Sequence, residues 1–258
     1  MAEICEKCEG MGMRVVRRAD GSSAAEPCEC QLERRVSRLF KRAQIPERYQ
    51  GCTLQSFERY NQSLQFAFIT ADGFVNTYPH GTEGKGLLFT GTMGVGKTHL
   101  AVGLIHALIT EKNTECLFCD YRELLKQIQE SYNSSTHVTE LQVLRPIFQT
   151  EVLLIDDLGY IRPTEWVWDT VALILNSRYN AKKTTIITTN YPNLPAGHRQ
   201  SMGRVRNKSQ EAAEAAMRDE TLGDRIGERM RSRLSEMCVE VDLQGEDMRQ
   251  GKKKARIG

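Results

Sequence analysis

The chain is short of several things, and each shortage narrows its class. No apolar run is long enough to cross a bilayer: the longest helical apolar stretch, HLAVGLIHALIT at 99–110, falls well below the span required. The start, MAEICEKCEG, has no apolar core segment, so no secretory leader is expected and the cytoplasm is the expected compartment. Neither sign of charge dominates. Lys plus Arg number 35 against 33 Asp plus Glu, and a net +2 does not announce a nucleic-acid binder by bulk charge. Apolar content of 40% with 26% charged residues is that of a soluble globular protein, and 258 residues allow one ordinary core plus an appendage. Eight cysteines in such a chain point to metal or plain thiols before disulfides.

What is present begins with GTMGVGKTHL at 91–100, where Gly91, Gly96, Lys97 and Thr98 fit G-x-x-x-x-G-K-[ST] and Gly94 is an extra glycine. GLLFT (86–90) reads as a buried strand before it. Apolar residues at 100, 104, 105, 108 and 109 give the segment after it helical spacing. Strand, glycine-rich loop and helix together are the context of a phosphate-binding loop. Glycines let the backbone N–H groups wrap a phosphate, and the helix N-terminus adds partial positive charge. Gly91, Thr92, Gly94, Val95, Gly96, Lys97, Thr98 and His99 are therefore expected to bind ATP. Lys97 would reach the β- and γ-phosphates, and the Thr98 hydroxyl would ligand Mg²⁺.

VLLIDDLG (152–159) supplies a buried strand ending in two acids. Asp156 would hold Mg²⁺ opposite Thr98, and Asp157 would orient the attacking water. TTIITTNY (184–191) is a further β-branched strand ending in Asn190, whose amide could hydrogen-bond that water; Asn-x-Pro is also an ordinary turn.

Cys5, Cys8, Cys28 and Cys30 read C-x2-C and C-x-C across a gap of 19 residues. The piece between them reads as a small hairpin turning at Asp20-Gly21, too small to hold itself by a core. One Zn²⁺ on four thiolates would supply of order 10 kcal/mol of folding energy. Cys116 and Cys119 also read C-x2-C, but in a core-strand run; they, Cys52 and Cys238 are expected to be packing residues.

QLERRVSRLFKRAQ (31–44) is a basic amphipathic helix, with Leu32, Val36, Leu39 and Phe40 as its apolar stripe and Pro46 beyond its end. It suits a partner protein or a phosphate backbone, or is simply a solvated linker. A helix at about 61–77 follows. Strands near 86–90, 115–120, 151–155 and 184–189 then alternate with helices near 97–111, 121–131, 138–148 and 165–180, the pattern of a parallel sheet with helices on both faces. Residues 1–44 are expected to form the zinc module and its helix, 45–248 the core with a polar insertion at about 196–220, and 249–258 a basic tail. TLGDRIGERMRSRLSEMC (221–238) carries an apolar row, Leu222, Ile226, Met230 and Leu234, beside a cationic row, Arg225, Arg229 and Arg233. The cationic row is either a solvated ion-pair face or the source of an arginine that reaches a neighbouring subunit's γ-phosphate.

The run from GLLFTGTMGVGKTHL through EVLLIDDLG, TTIITTNY and LGDRIGERMRSRLSEMC closely resembles the AAA+ ATPases of the DnaC/DnaI helicase-loader and IstB group, and IPERYQGCTLQSFE (45–58) looks like the segment preceding their core. The resemblance implies a P-loop AAA+ α/β sheet sandwiched by helices without a separate lid domain, and ATP bound between the protomers of a ring or spiral. It also implies single-stranded DNA engaged by the core. It places Asp156 and Asp157 on the Walker B acids and Asn190 on sensor I. Arg233 falls on the box VII arginine finger with Arg229 next, and Arg249 on sensor II. A cysteine-bearing N-terminal region resembles the DnaI-type loaders, in which that region docks on the replicative DNA helicase. The implied function is an ATPase that loads this helicase during replication initiation or restart, slow and stimulated by DNA or a partner. An IstB-like regulator of a transposase and a nucleotide-gated adaptor with little turnover are the alternatives.

Overall fold

The computed structural model describes residues 5–17, 21–133, 138–198 and 220–248. Asp20, residues 199–219 of the expected insertion, Arg249 and the basic tail lie outside the described residues.

A two-stranded antiparallel hairpin opens the chain, β1 (Met13–Arg17) pairing with β2 (Ser23–Pro27). Helix α1 (Glu29–Ala43) ends at Gln44, two residues before Pro46, in a left-handed C-cap with φ 54°. Its apolar stripe divides. Leu39 and Ala43 enter the main core with Val36 and Phe40 beside them, whereas Leu32 is exposed. Helix α2 (Gln62–Thr77) starts at Asn61, whose side chain accepts the Leu64 N–H and caps the first turn.

The core is one parallel sheet. Strands β3 (Gly86–Gly91), β4 (Cys116–Asp120), β5 (Val152–Asp156) and β6 (Thr184–Thr188) occupy the expected segments. Between them run α3 (Lys97–Lys112), α4 (Tyr121–Ser131), α5 (Glu140–Gln149) and α6 (Glu165–Asn180). The spatial order is β4-β5-β6-β3-β7, with β7 at Cys238–Leu243 and every pair parallel. Because side chains alternate along a strand, each strand feeds both faces. Leu87, Phe89, Val152, Leu154 and Ile186 pack under α1, α2 and α3; Leu88, Leu153, Ile155 and Ile187 pack under α4, α5 and α6. Cys116 and Cys119, three apart on β4, therefore point into opposite layers and cannot share a metal. Burial pushes both thiols up, that of Cys119 to about 12.

The stretch over 221–238 departs from a single helix. Gly227, at φ 81°, breaks it into α7 (Leu222–Ile226) and α8 (Glu228–Met237). A fifth strand, β7 (Cys238–Leu243), follows at once and closes the sheet beside β3. The apolar row is buried as a unit: Leu222, Ile226, Met230 and Leu234 all pack in the second layer. The cationic row does not hold together, because Arg225 is buried while Arg229 is exposed and Arg233 half-buried.

Candidate nucleotide-binding site and cysteine centre

The C-terminal ends of β3, β5 and β6 bring three sequence motifs together. The loop after β3 has the backbone its glycines allow: Gly94 and Gly96 sit at φ 78° and 104°, which side-chain-bearing residues rarely adopt. A Cβ on Gly94 would lie 1.9 Å from an Asp247 carboxylate oxygen, so any other residue there would strain the backbone and displace the Asp247 side chain. Lys97 is buried at the start of α3, its Nζ donating to the carbonyls of Gly91 (2.9 Å) and Thr92 (2.7 Å). The first amides of α3 have no partner within the helix and, with the loop amides, form a donor set suited to a polyphosphate. His99 turns its ring away from that set: its Nε2 meets Ser56 Oγ at 3.0 Å, and the ring packs edge-on against Phe57. Val95 is fully buried, so only its backbone can serve a ligand.

The Thr98 hydroxyl donates to Asp156 Oδ1 at 2.8 Å, and the Thr188 hydroxyl donates to the same oxygen at 2.7 Å. Burial is the main reason the Asp156 carboxyl is pushed up to about 6, with the Asp157 charge adding to it and the two hydroxyls opposing it. A hydroxyl and a carboxylate in contact at the foot of a phosphate loop are hard oxygen donors of the kind Mg²⁺ takes.

Asp157, at φ 57°, leaves the strand in a left-handed turn. Its amide donates to Thr188 Oγ1 at 2.9 Å, and its carboxylate accepts from Asn190 Nδ2 at 3.2 Å. The structure thus joins the acid after β5 to the amide after β6, two residues 33 apart in the chain. Thr188 serves both acids; its mark in the sequence is a hydroxyl at the end of a buried strand, two residues before Asn190.

Two further segments brace the loop. Tyr60 Oη accepts the Glu246 N–H at 2.9 Å, and Asn61 Nδ2 donates to the Gln244 carbonyl at 2.8 Å. Thr92 Oγ1 donates to the Gly245 carbonyl, and the Met248 N–H to the Gly94 carbonyl at 3.2 Å. Residues 244–248 therefore cross the phosphate loop directly after β7. Of the two candidate fingers, Arg233 stacks its guanidinium 4.3 Å over the Tyr179 ring, and Arg229 stands exposed near the start of α8.

A family profile described as IstB-like ATP binding protein matches residues 29–256. The chain belongs to this family. Among curated proteins, this IstB-like chain is 26% identical over 170 residues to the replicative helicase loader DnaI of Bacillus subtilis (strain 168), covering 63% of this chain and 53% of DnaI. It is 21% identical over 156 residues to the replicative helicase loader DnaC of Escherichia coli (strain K12), covering 60% of this chain and 62% of DnaC. The chain thus spans between half and two thirds of the curated relatives it matches. Among solved structures, the crystal structure of the DnaC helicase loader superposes with TM-score 0.61 at 30% identity, over 77% of this chain and 100% of that one. AMPPCP-bound DnaA from Aquifex aeolicus, with TM-score 0.55 at 16% identity over 82% of this chain and 56% of that one, shares the fold. No described helix is long and apolar enough to cross a membrane.

The second centre lies at the hairpin. The sulfurs of Cys5, Cys8, Cys28 and Cys30 all lie within 4.8 Å of one another. Cys8 Sγ is 3.5 Å from Cys30 Sγ, and Cys5 Sγ is 3.9 Å from Cys28 Sγ. A tetrahedral Zn²⁺ with bonds of about 2.3 Å sets its sulfurs about 3.8 Å apart, so the cage fits the ion, and all four cysteines are free of disulfides. The Gly12 amide donates to Cys8 Sγ at 3.3 Å, a contact common to thiolate cages. That amide and the neighbouring thiols outweigh burial and lower the Cys8 thiol to about 7, while its hydrogen bond to Cys8 holds Cys30 up at about 12.

Proposed function

We propose that this chain is an ATP-dependent loader that delivers a replicative DNA helicase onto single-stranded DNA, working as a nucleotide-switched ring or spiral. The reading is carried by one pairing: a nucleotide cradle whose second acid is the short Asp157, and a separate cysteine module at the head of α1. A chain so built spends ATP on its own assembly state and uses the module to hold a partner. The matched relatives named as replicative helicase loaders supply the partner.

In this reading the loop amides and Lys97 bind the phosphates of ATP. Thr98 and Asp156 hold Mg²⁺, which screens the phosphate charge when bound. Asp157, fixed by Asn190, orients the attacking water, and its short carboxylate makes turnover slow. Exposed Arg229 is freer to cross to a neighbouring protomer's γ-phosphate than Arg233, whose guanidinium is engaged with Tyr179. Arg249 is carried only by resemblance.

Single-stranded DNA has a candidate platform at the ends of β4 and β5. There the Arg122 guanidinium lies 5.0 Å from the ring of Tyr160, which is 44% exposed, with Arg162 two residues on. An aromatic face flanked by cations stacks bases without reading sequence. Zn²⁺ on the four cysteines would fold the hairpin that, with the basic face of α1, docks the helicase.

The test is capture of a hexameric replicative helicase by the full chain. Binding that survives removal of residues 1–60 sinks the docking assignment. A second reading, regulation of a transposase, is favoured by the IstB-like profile itself, which begins only at residue 29 and so spans the core without Cys5, Cys8 and Cys28. Remodelling of duplex DNA without helicase capture would select it. An adaptor with little turnover is distinguished by equal near-zero ATPase rates in wild type and Asp157→Ala, with ATP binding intact.

A further inference from the structure

Arg225 is the buried cation that the nucleotide site does not use. It sits on the five-residue α7 and is 4% exposed. Its Nη2 pairs with Glu220, and its guanidinium lies 4.5 Å over the ring of Tyr191. Among the described residues neither its Nε nor its Nη1 has a hydrogen-bond partner, and the same holds for the buried Tyr121 hydroxyl. A buried donor without an acceptor is costly, and more so on a charge, so such a side chain favours any rearrangement that brings it acceptors.

Its stem touches the elements that hold the water-positioning pair. A Cβ on Gly159 would lie 3.0 Å from Arg225 Cβ and 3.3 Å from Tyr191 Cδ2. Gly159, at φ 88°, is two residues past Asp157, and Tyr191 directly follows Asn190. The intervening backbone is wired: Leu158 N–H donates to the Thr188 carbonyl (2.9 Å), Thr189 Oγ1 to the Leu158 carbonyl (2.8 Å), and Tyr191 N–H to Thr189 Oγ1 (3.2 Å). A shift at Asp157 or Asn190 therefore reaches Gly159 and Tyr191, and both bear on Arg225. On its other side α7 continues through Gly227, at φ 81° and ψ 148°, into α8 and Arg229.

We propose that Arg225 is a positioning residue that couples the Asp157–Asn190 pair to α7 and α8, so that the nucleotide state of one protomer sets how its own α8 is presented to the next. When the Asp157–Tyr160 turn rotates, its carbonyls become acceptors for the Arg225 Nε and Nη1 donors. The helix pair then follows the guanidinium, with Gly227 taking up the change between α7 and α8. The inference rests on the nucleotide site described above.

Hydrogen exchange of residues 222–237 in the full chain, with Mg·ATPγS against Mg·ADP, tests it, alongside an independent measurement of ATPγS affinity. Wild type should show an ATPγS-versus-ADP difference in this segment. Arg225→Met should lose that difference while binding ATPγS with unchanged affinity, and Arg225→Lys, which keeps the charge but not the planar stack, should narrow it. The proposal is overturned if wild type binds ATPγS and shows no difference, or if either variant keeps the full difference. Wild type that does not bind ATPγS refutes the nucleotide site itself, and the coupling with it. A purely structural Arg225 would lower the melting temperature of Arg225→Lys and leave the nucleotide-dependent difference intact.

Discussion

Thr98 and Thr188, from the first turn of α3 and the end of β6, donate to the same oxygen of Asp156. Two hydroxyls do not offset the burial of that carboxylate, which is why its pKa rises from 3.8 to about 6. The sign follows from which state holds the proton. Between about pH 4 and 6 the folded chain keeps it and the unfolded chain has released it, so this group's contribution to stability falls as pH rises through that window. Above it the ionised Asp156 costs roughly 2–3 kcal/mol, the worth of about two pKa units. Asp156→Asn should therefore melt higher than wild type at pH 7.5 and converge with it toward pH 4. Parallel melting curves across that range would refute the assignment. Mg·ATP selects the ionised form, so its affinity in wild type should weaken below about pH 6.

Lys97 is buried against the carbonyls of the loop it serves. Lys97→Ala should leave the fold intact and reduce ATP affinity at least about 100-fold, the scale on which a charge-assisted phosphate contact is lost. Titration with a fluorescent ATP analogue measures it, and unchanged affinity contradicts the site.

The cysteine cage predicts one Zn²⁺ per chain by elemental analysis. Cys28→Ser or prolonged chelation should abolish the metal and melt the β1–β2 hairpin, while the parallel sheet keeps its cooperative transition, since its core is built elsewhere. A Cys28→Ser protein with full zinc stoichiometry would disprove the ligand set.

Arg178 is fully buried at the opposite end of the sheet from the phosphate loop, and it is a structural pin. Its guanidinium donates to the carbonyls of Ile147, Thr150, Glu151 and Thr184 and to Thr185 Oγ1. Burial lowers its pKa to about 10, which leaves it charged at neutral pH. Arg178→Met strands several buried carbonyls and should cost about 3–5 kcal/mol in a denaturant titration, with ATP affinity unchanged in the folded fraction. A loss below about 1 kcal/mol would mean these carbonyls find other partners.

Local chemistry that repeats at short range was legible in the chain. The four segments read as strands, three as apolar runs and TTIITTNY as a β-branched one, fold as strands, because such residues are favoured in a buried sheet. The phosphate loop was legible because glycine spacing encodes a backbone shape. What escaped was β7. Val239, Val241 and Leu243 alternate with Glu240 and Asp242, which is a strand period, but the run follows α8 with no turn between them and so reads as the tail of that helix. It exists because β3 offers it an open edge. The three arginines do not share a face for a related reason. Spacing of i, i+4 predicts a shared face only if the helix is unbroken, and Gly227 breaks it.

The parallel α/β sheet, the glycine-rich loop with Lys97 and Thr98, the acids at the end of β5 and the four-cysteine set follow from the amino-acid order, because each is written in residues close together or in a period the backbone must obey. Folding alone makes Thr188 serve both acids, brings Asn190 onto Asp157, lays residues 244–248 across the loop, and turns Arg225 inward while Arg229 faces out. Those are meetings between segments far apart in the chain, and packing of the two layers against one sheet, not any local preference, brings them within hydrogen-bond reach.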